Sequence, residues 1–279
     1  MNQQSEDFLT PVVMVFAGND PTGGAGIQAD IEALASMGCH AAPIITALTV
    51  QDTRDVMRIQ PMDLSIIIEQ ARAVFEDMPV DAIKIGLLGS VEAVEAVHSI
   101  LRDYHDVPII LDPILVAGGG SSLANDEIQD AMISLLLPFT TLLTPNSLEA
   151  RALAPEADSL EACAQEIFEM GVQHLLITGT HERTPKVINH LYSDKRLVEA
   201  YTFERLPHSY HGSGCTLASA ITGLLAQDMD LQTAVSEAQQ YTYATLKSGM
   251  RLGMGQHIPN RLFWGVETQS SEEDDVAGV

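Results

Sequence analysis

Strand-like apolar runs and amphipathic helical patterns alternate along almost the whole chain, and few architectures accept that rhythm. Residues 12–16, 42–48, 82–85, 108–111, 141–143 and 175–177 read as strands. Residues 25–37, 64–75, 91–101, 128–136 and 160–170 read as the helices between them. A hairpin is expected over 187–201, followed by two helices over 215–226 and 231–246. This is the pattern of a doubly wound, mostly parallel sheet with helices on both faces. Such sheets bind ligands beyond the carboxyl ends of their strands, so candidate residues should sit just after strands. They do.

No internal repeat or composition shift marks a boundary, so one domain is expected over 11–266, with a flexible stretch at 1–10 and an acidic disordered tail at 267–279. The 279 residues carry a formal net charge of -24, which argues against nucleic-acid backbones and anionic membrane surfaces as partners. Cys39, Cys163 and Cys215 are odd in number and widely spaced, which suggests neither a disulfide framework nor a zinc site. No apolar run approaches the ~18 residues that span a bilayer. The polar N-terminus is unlike a signal peptide, and a cytoplasmic, reducing location is expected.

Five motifs follow strands. In Ala17-Gly18-Asn19-Asp20-Pro21-Thr22-Gly23-Gly24-Ala25-Gly26, glycines open a helix that carries Asp30. The spacing fits neither a dinucleotide fingerprint nor a Walker A loop. It suits close approach of a small ligand with Asp30 accepting hydrogen bonds, or else a tight turn with a solvated aspartate. Gln51 offers a donor and an acceptor to the edge of a heterocycle, although a capping or surface role also fits. Asp112 stands where a carboxylate suits Mg²⁺ or its waters, and Asn146 with Glu149 suits Mg²⁺ carrying a nucleotide phosphate. Asn146 and Glu149 are equally an N-cap pair.

The fifth motif is His211-Gly212-Ser213-Gly214-Cys215-Thr216-Leu217-Ala218, a glycine-rich turn running into an apolar helix. Inward amides and the positive end of the helix dipole make a pocket for an anion, above all for a transferring phosphoryl group. Cys215 stands at the helix mouth, where a thiol is acidified. A plain helix start with a small buried cysteine reads the same way.

Taken together, these segments and Ile83-Lys84-Ile85-Gly86 resemble the hydroxymethylpyrimidine/phosphomethylpyrimidine kinases of thiamine biosynthesis, from about residue 12 to residue 260. The resemblance implies a ribokinase-like three-layer α/β/α sandwich with a mostly parallel central sheet. It also implies ATP-dependent phosphorylation of hydroxymethylpyrimidine and its monophosphate. By this resemblance Gly18, Asp30 and Gln51 surround the aminopyrimidine, with Leu87 and Ile114 on its apolar side. Asn146, Glu149 and Thr178 serve the nucleotide, Asp112 and Glu149 the Mg²⁺, and Gly212, Ser213, Gly214 and Cys215 the anion hole and catalysis. A homodimer is a further implication. Many wider ribokinase relatives carry an aspartate base where this chain has Cys215, whereas the pyrimidine kinases and some pyridoxal kinases have cysteine.

The chain departs from the family pattern at Thr178, where many members have lysine, and over 206–210. With 14 basic residues, nucleotide charge must be met mainly by Mg²⁺ and backbone amides. A pyridoxal-type vitamin kinase and a pyrimidine-binding regulatory protein with weak turnover are the alternative readings.

Overall fold

The computed structural model describes residues 10–104, 106–115 and 125–265. The expected flexible N-terminus (Thr10 apart) and acidic tail lie outside them. The chain builds β1 (Val12–Asn19), α1 (Gly26–Ser36), β2 (His40–Gln51), β3 (Val56–Pro61), α2 (Leu64–Asp77), β4 (Val80–Ile85), α3 (Val91–Asp103) and β5 (Ile109–Leu111). It continues with α4 (Asp126–Leu135), β6 (Leu142–Leu143), α5 (Ser147–Leu153), α6 (Leu160–Glu169) and β7 (His174–Ile177). The hairpin β8 (Lys186–Ser193) and β9 (Arg196–Glu204) precedes α7 (Ser213–Leu225) and α8 (Leu231–Lys247).

The strands form one sheet in the order β3-β2-β1-β4-β5-β6-β7-β8-β9. From β2 through β7 all neighbours are parallel. β3, β8 and β9 add antiparallel pairings at the two ends. The chain moves outward from β1 to β2 and β3, then returns to β4 on the other side of β1 and proceeds to β9. The order therefore reverses between β1 and β4, the kind of switch point that opens a crevice at the carboxyl edge of a sheet.

Alternating side chains of each strand feed two cores, which makes the molecule three layers thick. Met14 and Phe16 of β1 pack with Ile83 and Ile85 against α2, α3, α4 and α6. Val13, Val15 and Ala17, one residue out of phase, face α1, while Ile110, Leu142 and Leu176 face α7 and α8. Each large apolar side chain fully withdrawn from water in this way contributes about 1.5–3 kcal/mol before entropy is counted. The expected strands and helices match closely in place and type. β3 was not anticipated as an element, and of α5 only its start at Asn146 was; among the described residues no helix is long and apolar enough to cross a membrane.

How the helices begin is uneven. α2, α3, α4, α6 and α8 start on Asp63, Ser90, Asn125, Ser159 and Asp230, whose side chains accept first-turn amides. α5 starts on a full capping box, Asn146 with Glu149. α1 and α7 start on Ala25 and Gly212 with no side-chain cap of their own.

Candidate active site

The carboxyl ends of the parallel strands open into a cavity of about 620 Å³ at the switch point. Gly18, at the end of β1 where its register with β2 shifts, lines it, as do Gln51 from β2 and Leu87 after β4. Asp112 and Ile114 follow β5, Asn146 and Glu149 follow β6, and Thr178 follows β7, all in the same wall. Gly212, Ser213, Gly214 and Cys215 close it from the side of α7. Sequence positions spread over two hundred residues thus converge because most of them end neighbouring strands of one sheet, while residues 212–215 open α7 beside those ends. Ile114 has φ near +26°, an unusual conformation for a β-branched residue that costs on the order of 1–3 kcal/mol.

The two uncapped helices meet here. Gly212 sits at φ +81°, and a Cβ on it would collide with the Gly24 carbonyl oxygen. Only glycine lets the turn before α7 lie back to back with the turn before α1. First-turn amides have no partner within a helix, and both dipoles place positive potential at this wall. A Cβ on Gly214 would lie 3.6 Å from Asp112 Oδ2, so that carboxylate stands directly beside the glycine turn.

Asp112 and Glu149 are each 5% exposed. Burial pushes Asp112 up to about 6; the charge of Asp30 adds to this, while the Lys84 ammonium and a hydrogen bond from the Cys215 thiol oppose it. Burial, reinforced by the charge of Asp112, pushes Glu149 up to about 7 against amide hydrogen bonds from Asn146 and Leu115. Glu149 Oε2 accepts the Asn146 amide at 2.9 Å and Oε1 the Leu115 amide at 3.3 Å, which leaves further lone pairs on both oxygens. Two neighbouring buried carboxylates, both pushed up by burial and the second also by the charge of the first, are a donor set short of positive charge. That chemistry fits a divalent cation held by one or two carboxylates, with water and phosphate completing its shell. Among the described residues no group of three or more His, Cys, Asp or Glu converges as a metal site.

Asp30 corrects the sequence reading. It is fully buried and does not line the cavity. Its Oδ1 lies 2.9 Å from Lys84 Nζ and accepts a hydrogen bond from Ser219 Oγ at 2.7 Å. A carboxylate withdrawn from water takes the nearest cation, and the buried Lys84 of β4 supplies it. Lys84 pays heavily for desolvation, yet the surrounding carboxylates hold its ammonium above the usual range. The only sign of this pair in the sequence is a lone lysine inside the apolar run Ala82-Ile83-Lys84-Ile85.

Cys215 differs from expectation as well. Burial pushes its thiol up to about 12, with the charges of Asp112 and Asp30 adding to the effect of burial; Lys84 and the Gly26 amide work against it. The helix dipole alone predicts an acidified thiol, but desolvation and two carboxylates outweigh it here.

Asp20 and His211 take places that the sequence reading left empty. Asp20 Oδ2 accepts the Ala25 amide at 2.9 Å and meets His211 Nε2 at 2.8 Å. Gln51 Nε2 lies 3.0 Å from the same ring nitrogen, so the Gln51 amide stands against the wall beside His211. At the Thr178 end, Arg205 is the one Lys or Arg in the wall among the described residues. It donates to the carbonyls of Thr180 and Glu182 at 2.7 and 2.9 Å. Asn146 and Glu149 cap α5, and both also face the cavity.

Comparison with known proteins points one way. The model of the phosphomethylpyrimidine kinase family matches residues 20–260. A hydroxymethylpyrimidine/phosphomethylpyrimidine kinase of Rhizobium meliloti is 34% identical over 253 residues, 89% of this chain and 95% of that protein. The thiamine biosynthesis bifunctional protein ThiED of Geobacter sulfurreducens is 33% identical over 254 residues, 90% of this chain; the match spans about half (52%) of that longer protein. Among solved structures, an ADP complex of Bacillus subtilis pyridoxal kinase matches with a TM-score of 0.84 at 25% identity, covering 92% of this chain and 99% of that one.

Proposed function

The chain belongs to the phosphomethylpyrimidine kinase family and is a hydroxymethylpyrimidine/phosphomethylpyrimidine kinase of thiamine biosynthesis, and from that premise we propose how its residues divide the work. The single observation that carries this division is the meeting of two uncapped helix N-termini with two cation-deficient carboxylates in one cavity. The amides of residues 212–215 face the charge that builds on the γ-phosphoryl group of ATP as it passes to the substrate oxygen. Asp112 and Glu149 hold Mg²⁺, which when bound neutralises phosphate oxygens of the nucleotide. Asn146 and Thr178 line the nucleotide end, where Arg205 provides a side-chain cation and Thr178 offers a hydroxyl in place of the family's lysine.

At the other end Gly18, Gln51, Leu87 and Ile114 receive the aminopyrimidine, with Gln51 beside His211. The hydroxymethyl oxygen attacks the γ-phosphorus in line. Such transfers depend on positioning and electrostatics more than on a strong base. A thiol held near 12 is protonated at neutral pH, so Cys215 serves as a hydrogen-bond partner that orients the acceptor hydroxyl.

One kinase domain over 11–266 carries all of this. Leu48 and Val50, two apart on one face of β2, are exposed apolar residues, which supports a homodimer. Three free, buried cysteines suit a reducing, cytoplasmic setting. The fold likeness to a pyridoxal kinase makes pyridoxal the second acceptor to assay.

The test is a coupled ATP-turnover assay with hydroxymethylpyrimidine, its monophosphate and pyridoxal, on wild type and Cys215→Ala. The wild type is expected to phosphorylate both pyrimidines. The variant is expected to bind pyrimidine normally and lose most of its turnover; an unchanged rate removes Cys215 from the mechanism. Tight pyrimidine binding without any phosphorylated product would leave the chain a regulatory binder.

A further inference from the structure

The segment after α8, residues 249–261, contains neither helix nor strand, yet it ties together three loops of the cavity. Gly255 and Gln256 donate their amides to Thr53 Oγ1 and the Thr53 carbonyl, at 3.0 and 2.8 Å, which holds the turn beyond Gln51. His257 exchanges backbone hydrogen bonds with Ser209 and His211, both at 2.9 Å, just before the glycine turn of α7. The third tie is a side chain, Arg261.

Arg261 is the largest fully buried side chain of the described residues. Its Nε donates to Thr216 Oγ1 at 2.9 Å, in the first turn of α7, and Thr216 Oγ1 donates to the Gly212 carbonyl at 2.8 Å. Nη1 donates to the Gly23 carbonyl at 3.2 Å and to Glu32 Oε2 at 3.1 Å, and Nη2 donates to the Gly24 carbonyl. The backbone carbonyl of Arg261 accepts from Ser36 Oγ and Tyr241 Oη, both at 2.9 Å, which fixes the residue from α1 and α8.

A buried guanidinium is costly, and an apolar residue would fill the same space with less penalty. An apolar residue would not spread rigid, coplanar donors across two separate turns. The carbonyls it grips belong to the turn that leads into α1, and Gly24 is the residue on which Gly212 rests. We propose that Arg261 is a positioning residue for phosphoryl transfer. It locks the two glycine-rich turns in register from behind, so that the N-termini of α1 and α7 present their amides to one anion. The activity part of this proposal rests on the kinase reading; the geometric part does not.

The experiment compares Arg261→Ala, Arg261→Lys and Thr216→Val with wild type and with Ile100→Ala, a core truncation in α3 far from the cavity. Steady-state kinetics and amide hydrogen exchange are both read. In folded Arg261→Ala, kcat is expected to fall on the order of 10- to 100-fold, as displacement of an aligned group does, with the pyrimidine KM held within about threefold. Exchange at Gly24 and at residues 213–215 is expected to quicken. Arg261→Lys should behave more like alanine than like wild type, because the single nitrogen of an ammonium cannot span the four acceptors that three guanidinium nitrogens reach. Thr216→Val, which removes the Arg261 link to α7 together with the Thr216 hydrogen bond to the Gly212 carbonyl, should move in the same direction by less. It carries the test if Arg261→Ala does not fold.

Full kcat in a folded Arg261 variant overturns the proposal. So does an equal loss of kcat in Ile100→Ala at matched thermal stability. If the wild type fails to phosphorylate any pyrimidine, the kinase reading falls, and unchanged exchange at the two turns then overturns the clamp on its own.

Discussion

Among the described residues six α-helices begin on a side-chain cap and two do not, and the two exceptions are the ones that touch each other at the cavity. α3 is representative of the first group. Ser90 accepts the Ala93 amide at 3.2 Å, which satisfies one of the free first-turn donors from within the chain. α7 has a left-handed glycine in that position and leaves its first turn open. A cap serves stability, and its absence at a cavity reserves the same amides for a ligand. α5 lies between these extremes, since its capping box is complete while Glu149 still faces the cavity with lone pairs to offer.

The contrast breaks most visibly at Gly212. A side chain there meets the Gly24 carbonyl and strains a positive φ, so Gly212→Ala should pull the two turns apart. Turnover is expected to fall about 100- to 1,000-fold, the scale of losing an oxyanion donor, with secondary structure by circular dichroism intact. Turnover within twofold of wild type would mean that the uncapped end is incidental.

Glu149→Gln sharpens the intermediate case. The amide oxygen still accepts from Asn146, so the cap survives, but the charge is gone. Affinity for the Mg-nucleotide, read by calorimetry, should fall on the order of tenfold. The variant also isolates a pH effect. In the wild type Glu149 holds its proton to about 7, whereas the unfolded chain releases it near the ordinary 4.5. Between those values the folded state binds more protons, so Glu149 makes stability decline as pH rises. Without divalent cation, the melting temperature of the wild type should drop more steeply from pH 4.5 to 7 than that of Glu149→Gln. Parallel curves would remove Glu149 as the source.

The smallest effect is expected at the capped extreme. Ser90→Ala should cost about 1 kcal/mol in denaturant unfolding and leave kcat and KM unchanged. A clear loss of turnover there would erase the distinction between the two kinds of helix start.

The strand and helix rhythm was legible because periods of 2 and 3.6 are local properties. β3 escaped because none of its residues is buried and it pairs only with β2 at an edge, so burial never imprinted a strong alternation on Val56–Pro61. The wall residues Gly18, Gln51, Asp112, Asn146, Glu149 and Thr178 were legible because strand ends of a parallel sheet face one crevice. Asp30 was misplaced for a related reason. Its position on α1 is local information, but its partner Lys84 lies in another strand. Arg261 left no signal at all, since a lone arginine after a proline has no periodicity to betray burial.

By itself, then, the sequence determined the order and kind of elements, the glycines at the two turns, and the carboxylates that follow β5 and β6. Only the tertiary structure decided which charges meet. It gave Asp30 to Lys84, left Asp112 and Glu149 without a sufficient counter-charge, raised the thiol of Cys215, and set Arg261 behind both turns. The reason is physical. Element type follows from neighbours along the chain, whereas desolvation and Coulomb energies depend on distances through space.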